Sequence, residues 1–125
     1  REQRVFTEDD LRKYTGEDPS LPIYIAINGE VFDVTEGRGY YGPGGGYHFF
    51  AGRDAARAYI TGCFDTHLTH DLRGLSGAQI KQLDGWIDFY RNHPRYYAVG
   101  RVIHPAIPKD APIPEDCKEA KAQKP

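Results

Sequence analysis

The chain has 125 residues, which is enough for one hydrophobic core and too few for two independent domains. With 39% hydrophobic and 27% charged residues, it has the composition of a folded globular protein rather than a disordered one. The formal net charge is only -2 and the basic residues are scattered, which argues against a nucleic-acid partner, and no apolar stretch approaches the length of a membrane span.

Capping residues, turn residues and hydrophobic periodicity predict seven regular elements. In chain order they are a helix over about 7–14, a strand over 21–28, a return strand over 30–35, a helix over 54–60, a short helical piece over 66–72, a helix over 77–91 and a strand over 96–103. Strands lie toward both ends and helices are clustered between them, which predicts an α+β fold. A helical insertion closed by a late strand would form a cup that can hold a flat ligand.

The hairpin and the last helix have the strongest local signals. Asn28-Gly29 is a two-residue turn typical of a β-hairpin. Ser76 followed three residues later by Gln79 is a capping-box pattern, and Pro94 closes the helical region that begins there.

Two segments are predicted to lack regular structure. Residues 37–46 are rich in glycine and contain a proline, so a loop is expected there. Residues 104–125 contain recurrent prolines and no periodicity, which predicts an extended or mobile C-terminal tail after a folded domain of residues 1–103. Because the chain opens on Arg1 rather than methionine, we expect an upstream segment, such as a signal peptide or a membrane anchor, outside this sequence.

The cysteines and two nearby histidines leave alternatives open. Cys63 and Cys117 could pair in a disulfide, which would indicate an oxidising compartment, or they could be two free thiols. Cys63, His67 and His70 form a loose metal-like cluster, but tetrahedral zinc uses four ligands at tighter, paired spacing. We therefore favour a solvated loop with two surface histidines.

Tyrosine is over-represented, with nine tyrosines against one tryptophan. The tyrosine ring is apolar and its tip is polar, so a surplus suits a pocket that is apolar but needs hydroxyl groups. The alternative on composition alone is a tyrosine-rich core and rim.

Several segments carry a family resemblance. They are residues 25–35 (IAINGEVFDVT), 41–47 (YGPGGGY), 50–57 (FAGRDAAR), the helix residues Leu83, Trp86, Phe89 and Tyr90, and residues 97–100 (YAVG). Together they resemble the cytochrome b5-like haem/steroid-binding domain, in particular the membrane-associated progesterone receptor family, over about residues 6–103. Residues 61–63 (TGC) are most similar to the neudesin and neuferricin branch.

The resemblance implies a cytochrome b5-like fold with a helical insertion, in which a small sheet and several short helices form a cup for non-covalent haem b. In the family pattern Tyr47, which ends the glycine loop, is the single axial iron ligand, and Tyr41 hydrogen-bonds near the ligand. The other cofactor-binding residues implied are Gly45, Gly46, Phe50, Arg95 and Tyr96. Arg95 departs from the family, which often has lysine there, and its exact role is therefore less secure.

The chemistry of the glycine loop agrees with a tyrosine ligand. Cytochrome b5 itself uses two histidines, the first in a His-Pro-Gly-Gly turn, whereas residues 42–45 here read Gly-Pro-Gly-Gly. A tyrosine phenolate is a hard, anionic donor that favours ferric iron, so a five-coordinate, high-spin site of low potential is expected. His48 is the rival ligand, but neighbours in extended backbone face opposite sides, so Tyr47 and His48 should not both reach the iron. Tyr47 could also be an ordinary core aromatic.

No motif for catalysis stands out, so the chain is predicted not to be an enzyme. The favoured function is a haem-dependent interaction or regulatory module, or a haem carrier, with a cytochrome P450 or a receptor protein as partner. We expect it in the endoplasmic reticulum lumen, associated with the membrane through a segment outside this chain, or secreted. The alternatives are a secreted neudesin-like signalling protein, a low-potential electron-transfer protein and a steroid binder.

Overall fold

The computed structural model describes residues 3–117. Within this range the chain forms one four-stranded sheet with the strand order β1-β4-β3-β2. The strands are β1 (Arg4–Thr7), β2 (Tyr24–Ile27), β3 (Glu30–Asp33) and β4 (Tyr97–Ile103). Strand β1 runs parallel to β4, whereas β2 and β4 are both antiparallel to β3. The sheet is therefore mixed, and its first and last strands pair.

Residues 3–117 also contain five short α-helices and two 3₁₀ turns. The helices are α1 (Glu8–Leu11), α2 (Arg38–Tyr41), α3 (Ala56–Thr61), α4 (Gly77–Lys81) and α5 (Leu83–Arg91), and the 3₁₀ turns are Thr35–Gly37 and His48–Phe50. Four of the helices lie between β3 and β4, which confirms the predicted α+β arrangement.

The predicted hairpin is confirmed. Asn28 (φ 49°) and Gly29 (φ 92°) both adopt positive φ, as a type I′ turn requires. The Asp54 carboxylate accepts hydrogen bonds from the backbone N–H groups of Asn28 (3.0 Å) and Gly29 (2.7 Å). This carboxylate thereby ties the tip of the hairpin to the chain that leads into α3.

The sheet separates two groups of buried side chains. Ile23, Ile25 and Ile27 lie in the larger core, together with the helices of the insertion. The alternate residues Tyr24 and Ala26 lie in the smaller core, which α1 helps to cover. Because side chains alternate along a strand and both faces of β2 are covered, all four residues of this strand are buried.

Strand β1 was not predicted from the sequence. Of its four residues only Phe6 is buried, so it shows no useful periodicity. Its partner lies far along the chain, with Arg4 opposite Gly100 and Phe6 opposite Val102. An added Cβ at Gly100 would overlap the backbone of Arg4, so glycine permits this close approach.

Two capping boxes form, of which the one at Ser76 was predicted. Thr7 and Asp10 exchange hydrogen bonds of 3.0 Å at the start of α1, although the helix ends at Leu11 rather than near Tyr14. Ser76 and Gln79 do the same at the start of α4.

The single helix predicted over 77–91 is instead two segments. At Gln82, between α4 and α5, the backbone N–H bonds to the carbonyl of Gln79 three residues back, which tightens the turn.

The glycine-rich segment is more regular than predicted. Residues 38–41 form the one-turn helix α2, which the N–H of Gly42 closes on the carbonyl of Arg38 at 2.9 Å. The loop itself is therefore restricted to residues 42–47. His48–Phe50 form a 3₁₀ turn, so the extended backbone expected at this point was wrong.

The short helical piece predicted over 66–72 does not form. Backbone carbonyls in this region bind side chains instead: the Arg57 guanidinium donates to the carbonyls of Asp71 and Arg73, each at 2.9 Å. A tertiary interaction has replaced the local helical one.

Residues 104–117 contain no helix or strand but are held against the body of the domain. Cys117 forms a disulfide with Cys63, which resolves the two alternatives for these cysteines. His67 Nε2 lies 2.6 Å from the carbonyl oxygen of Glu115, and Arg73 donates to the carbonyl of Ala111. His67 is consequently buried, so its expected place on the surface was wrong. In the part of the chain described here, no helix is long and apolar enough to span a bilayer.

Candidate functional site

An apolar cavity of about 480 Å³ opens between the glycine loop, α3 and α5, and we call it the aromatic cavity. Its walls are Tyr41, Tyr47 and Phe50 on the glycine-loop side, Ala58 and Tyr59 from α3, Gly62 and Phe64 from the following turn, and Trp86, Phe89 and Tyr90 from α5. No charged side chain is among them. Volume and lining are those of a cofactor or small-ligand site.

Helix α5 supplies one wall because three aromatic residues share a face. Trp86, Phe89 and Tyr90 follow the i, i+3, i+4 spacing of neighbours on a helix surface. Tyr90 is buried, whereas Trp86 and Phe89 are 42% and 49% exposed and form the rim. Tyr59 of α3 closes the interior, with its ring 5.3 Å from the Trp86 ring.

Three tyrosine hydroxyls form a buried chain behind the cavity. Tyr90 Oη lies 2.7 Å from Tyr41 Oη and 3.1 Å from Tyr59 Oη. Desolvation by burial raises the pKa of all three phenols well above the ordinary value. These groups therefore stay neutral at physiological pH and satisfy one another.

Tyr47 differs from those three tyrosines. Its side chain is 47% exposed, and its ring lies 6.1 Å from the Tyr41 ring and 6.2 Å from the Phe50 ring. Among residues 3–117 its hydroxyl has no hydrogen-bond partner. A phenol oxygen at the mouth of an apolar cavity can become the anionic oxygen donor that ferric haem accepts, so the residues present fit this group.

His48, the rival ligand, faces elsewhere. Its Nε2 lies 3.0 Å from the carbonyl oxygen of Thr15 and 3.8 Å from a carboxylate oxygen of Glu17. His48 is not part of the cavity wall. Of the two neighbours, the structure brings only Tyr47 to the cavity.

Tyr41 and Phe50, which the sequence assigned to the site, both line the cavity. Tyr96 does not line it but lies behind Tyr41, with the two rings edge to face at 6.0 Å. Arg95 is exposed and is not part of the wall. Tyr96 therefore packs against the Tyr41 ring, and the Arg95 side chain is exposed to solvent.

Gly45 and Gly46, which the sequence assigned to the site, do not line the cavity, and their surroundings differ. An added Cβ at Gly45 would overlap the backbone carbonyl of Tyr40, so glycine is needed there for the loop to fold on itself. An added Cβ at Gly46 would meet no described atom within 4 Å. Gly46 therefore leaves open space beside Tyr47.

A family model described as the cytochrome b5-like haem/steroid-binding domain matches residues 7–103 of the chain. The chain belongs to this family. The match covers strands β2, β3 and β4, all five helices and every residue of the aromatic cavity. It confirms the family resemblance and the cytochrome b5-like fold inferred from the sequence.

Several known proteins have sequences similar to this cytochrome b5-like domain. Membrane-associated progesterone-binding protein 4 of Arabidopsis thaliana is 45% identical over 103 residues, which are 82% of this chain and 41% of that protein. Neuferricin of Danio rerio is 47% identical over 100 residues, 79% of this chain and 37% of that protein. The chain thus spans about two fifths of the length of these relatives.

A solved structure is also similar. A hypothetical protein from Arabidopsis thaliana, described as having a cytochrome b5 like fold, is 42% identical, with a TM-score of 0.69. The similarity covers 81% of this chain and 92% of that one. The cytochrome b5-like fold is therefore shared with a solved structure.

Seven residues of the aromatic cavity were not predicted as site residues: Ala58, Tyr59, Gly62, Phe64, Trp86, Phe89 and Tyr90. The last three carried a usable signal, because aromatic residues at i, i+3 and i+4 widen the buried face of a helix beyond what its packing needs. Phe64 carried none, since its position depends on the turn after α3 and on its contact with Phe49, where the rings stack at 4.8 Å.

Proposed function

We propose that this cytochrome b5-like domain binds haem b non-covalently through Tyr47 as the single axial ligand. It acts as a haem-dependent interaction or regulatory module, or as a haem carrier, and not as an enzyme. The observation that supports this proposal is the division among the cavity tyrosines. Three are buried, neutral and hydrogen-bonded to one another, whereas Tyr47 is exposed at the mouth with its hydroxyl unengaged.

The other residues have distinct roles in this proposal. Tyr41, whose raised pKa keeps it protonated, lies beside Tyr47 with its ring 6.1 Å from the Tyr47 ring, and its hydroxyl would donate near the ligand. Phe50 packs against Tyr59 with rings stacked at 4.3 Å, and this pair forms the apolar wall that excludes water. Gly46 leaves room for a flat ligand to approach the loop. Arg95 is an exposed cation suited to a carboxylate at the ligand's edge.

Haem would supply a ferric iron that accepts the phenolate oxygen, and the protein would supply the donor and the apolar surroundings. A hard anionic ligand stabilises the ferric state, so we expect a five-coordinate, high-spin centre with a low reduction potential. Such a centre is unsuited to shuttling electrons at ordinary potentials, which places the electron-transfer alternative below the binding function.

The test is a haemin titration followed by visible absorption on the wild-type chain, Tyr47→Phe and Tyr40→Phe. Tyr40 is a matched control because it is a neighbouring exposed tyrosine, with its ring 6.3 Å from the Tyr47 ring, but it does not line the cavity. We expect one-to-one binding with a tyrosinate-type high-spin spectrum for the wild type and Tyr40→Phe. Tyr47→Phe should lose that spectrum and bind about 10- to 100-fold more weakly.

Two results would overturn the assignment. An unchanged spectrum in Tyr47→Phe would move the ligand to another side chain. The absence of specific haemin binding by the wild type would leave a steroid or another apolar ligand as the occupant of the cavity. Displacement of bound haemin by a steroid would show that the two ligands share the site.

The disulfide supports a secreted or lumenal setting, which is the basis of the second candidate, a neudesin-like signalling protein. Disulfides persist in oxidising compartments, and Cys63–Cys117 closes a separation of 54 residues. In this setting the partner would be a receptor protein, whereas in the endoplasmic reticulum it would be a cytochrome P450. Non-reducing mass spectrometry of the protein from cells and from their medium distinguishes the two compartments and checks the disulfide.

A further inference from the structure

A second cavity, of about 580 Å³, is lined by both charged and apolar side chains and shares no residue with the aromatic cavity. Four of its side chains form a cluster that we call the histidine cluster: Glu8, Asp54, His70 and His104. They come from the start of α1, the segment before α3, the loop after α3 and the first residue after β4. The fold therefore gathers two imidazoles and two carboxylates from distant parts of the chain.

Glu8 is the common partner of the two histidines. Its Oε2 lies 2.5 Å from His104 Nδ1 and 3.7 Å from His70 Nδ1. The two imidazole rings are parallel, with centroids 3.7 Å apart. One donor atom each from Glu8, His70 and His104 lie within 4.8 Å of one another.

Asp54 fixes the orientation of His104. Asp54 Oδ2 lies 2.8 Å from His104 Nε2, and the same carboxylate accepts hydrogen bonds from the backbone N–H groups of Asn28, Gly29 and Ala56. It is therefore held firmly by the hairpin turn and by the start of α3. Metal-binding histidines commonly donate their second N–H to a carboxylate held in this way.

His70 has a donor atom that the protein does not use. Its Nε2 is buried and has no hydrogen-bond partner among the described residues, which is costly for a polar atom unless a ligand binds it.

We propose that Glu8, His70 and His104 bind a divalent transition-metal ion of the Zn²⁺ type, with Asp54 as the carboxylate that orients His104. Two imidazoles and one carboxylate are borderline donors that suit Zn²⁺ better than Ca²⁺ or Mg²⁺. Donors around tetrahedral zinc are about 3.3 Å apart, so the three donor atoms must approach one another by up to about 1.5 Å. One imidazole must also turn out of the parallel stack, so that a nitrogen of each ring points at the same ion. The fourth position faces the cavity and would hold water.

Charge balance is consistent with this ligand set. Both nitrogens of His104 face carboxylate oxygens, which accept only, so this geometry favours an N–H on each nitrogen when no metal is bound. A metal ion would replace the proton on Nδ1 while Nε2–H remains on Asp54. The two charges of the ion then balance the carboxylates of Glu8 and Asp54.

The test is calorimetric titration of the haem-free, chelator-treated full chain with Zn²⁺. The disulfide is kept intact so that Cys63 and Cys117 cannot act as ligands. We expect one equivalent to bind the wild type and His93→Gln, a matched control whose ring stacks on Tyr96 outside the cluster. Glu8→Gln and His70→Gln should each bind about 10- to 100-fold more weakly.

Two further measurements keep the result interpretable if a variant is destabilised. Zn²⁺ should raise the thermal midpoint of the wild type and of His93→Gln, but not that of the two cluster variants. Tyr47→Phe should bind Zn²⁺ as tightly as the wild type, so a failure of haem binding and a failure of this site are distinguishable. If the wild type does not bind zinc, or if Glu8→Gln and His70→Gln bind it as tightly as the wild type, the cluster is only a network of ion pairs and hydrogen bonds.

Discussion

The aromatic cavity and the histidine cluster treat charge in opposite ways. In the cavity, burial raises the pKa of Tyr41, Tyr59 and Tyr90, so the wall stays neutral and apolar. In the cluster, the Asp54 and Glu8 carboxylates raise the pKa of His104 and hold its proton. One small fold can therefore keep the wall of one cavity neutral and gather charged groups at another.

The two regions also differ in what family membership reveals. The aromatic cavity lies entirely within the matched residues 7–103, and the family description names ligands that suit it. The histidine cluster depends on His104, one residue beyond that match. Because His104 lies outside the matched residues, this cluster can be recognised only from the structure of this chain.

Removal of the disulfide is expected to have the largest effect on the free energy of unfolding. Cys63 lies between Gly62 and Phe64, both of which line the aromatic cavity, and the bond closes a separation of 54 residues. Because the cross-link restricts the unfolded chain, the double change Cys63→Ser with Cys117→Ser should lower the free energy of unfolding by about 2–4 kcal/mol. Denaturant unfolding measures this loss.

Wild-type protein unfolded with a reductant present is the control, since it should match the double variant. Haemin affinity should fall along with stability if the bond supports the cavity wall. A loss below about 1 kcal/mol would show that the tail is held mainly by its hydrogen bonds.

Tyr90→Phe is expected to have the next largest effect, because it removes the hydroxyl that links Tyr41 and Tyr59. The buried hydroxyls of Tyr41 and Tyr59 would each lose the hydrogen bond to Tyr90, at a cost of about 1–3 kcal/mol in unfolding free energy. Tyr40→Phe, which deletes an exposed hydroxyl, should change stability by less than about 0.5 kcal/mol.

Spectroscopy on the same variant separates the two roles of tyrosine in the cavity. If Tyr47 is the ligand, Tyr90→Phe keeps the tyrosinate-type spectrum despite its lower stability. If Tyr90→Phe leaves the free energy of unfolding unchanged, the hydrogen bonds among the three hydroxyls contribute nothing to the stability of the fold.

Local chemistry made part of the fold predictable. The turn at Asn28-Gly29 and the caps at Thr7 and Ser76 are set by residues adjacent in sequence, and all three formed. Strand β1 was missed because its hydrogen bonds go to β4, about a hundred residues away. Helix α2 was missed because glycines on both sides masked a single helical turn.

The candidate site was predictable to the extent that one motif encoded it. Tyr41, Tyr47 and Phe50 lie close together in the sequence, and the family resemblance marked them. The burial of His67 was not predictable, because it arises from Glu115 in the tail, which reaches it only once the disulfide partner Cys117 is in place. Periodicity cannot report such a long-range contact.

The smallest expected effect concerns the pH dependence of the histidine cluster in the absence of metal. Hydrogen bonding to Asp54, opposed in part by burial, raises the folded-state pKa of His104 above its unfolded value near 6.5. The folded state therefore binds this proton more tightly than the unfolded state does. The resulting stability is fully present below the unfolded pKa and is lost as the pH rises through the folded pKa.

We therefore expect the free energy of unfolding of the wild type to exceed that of His104→Gln at pH 6. This difference should be smaller at pH 9. The decrease should be no more than about 1 kcal/mol, because the cluster is partly exposed. Denaturant titrations with a chelator present measure it. His70→Gln should act in the opposite sense, because the folded-state pKa of His70 is lowered and its protonation in acid destabilises the wild type. A pH-independent difference for His104→Gln would mean that its ring carries no extra proton in the folded state, and the metal would then have no proton to displace.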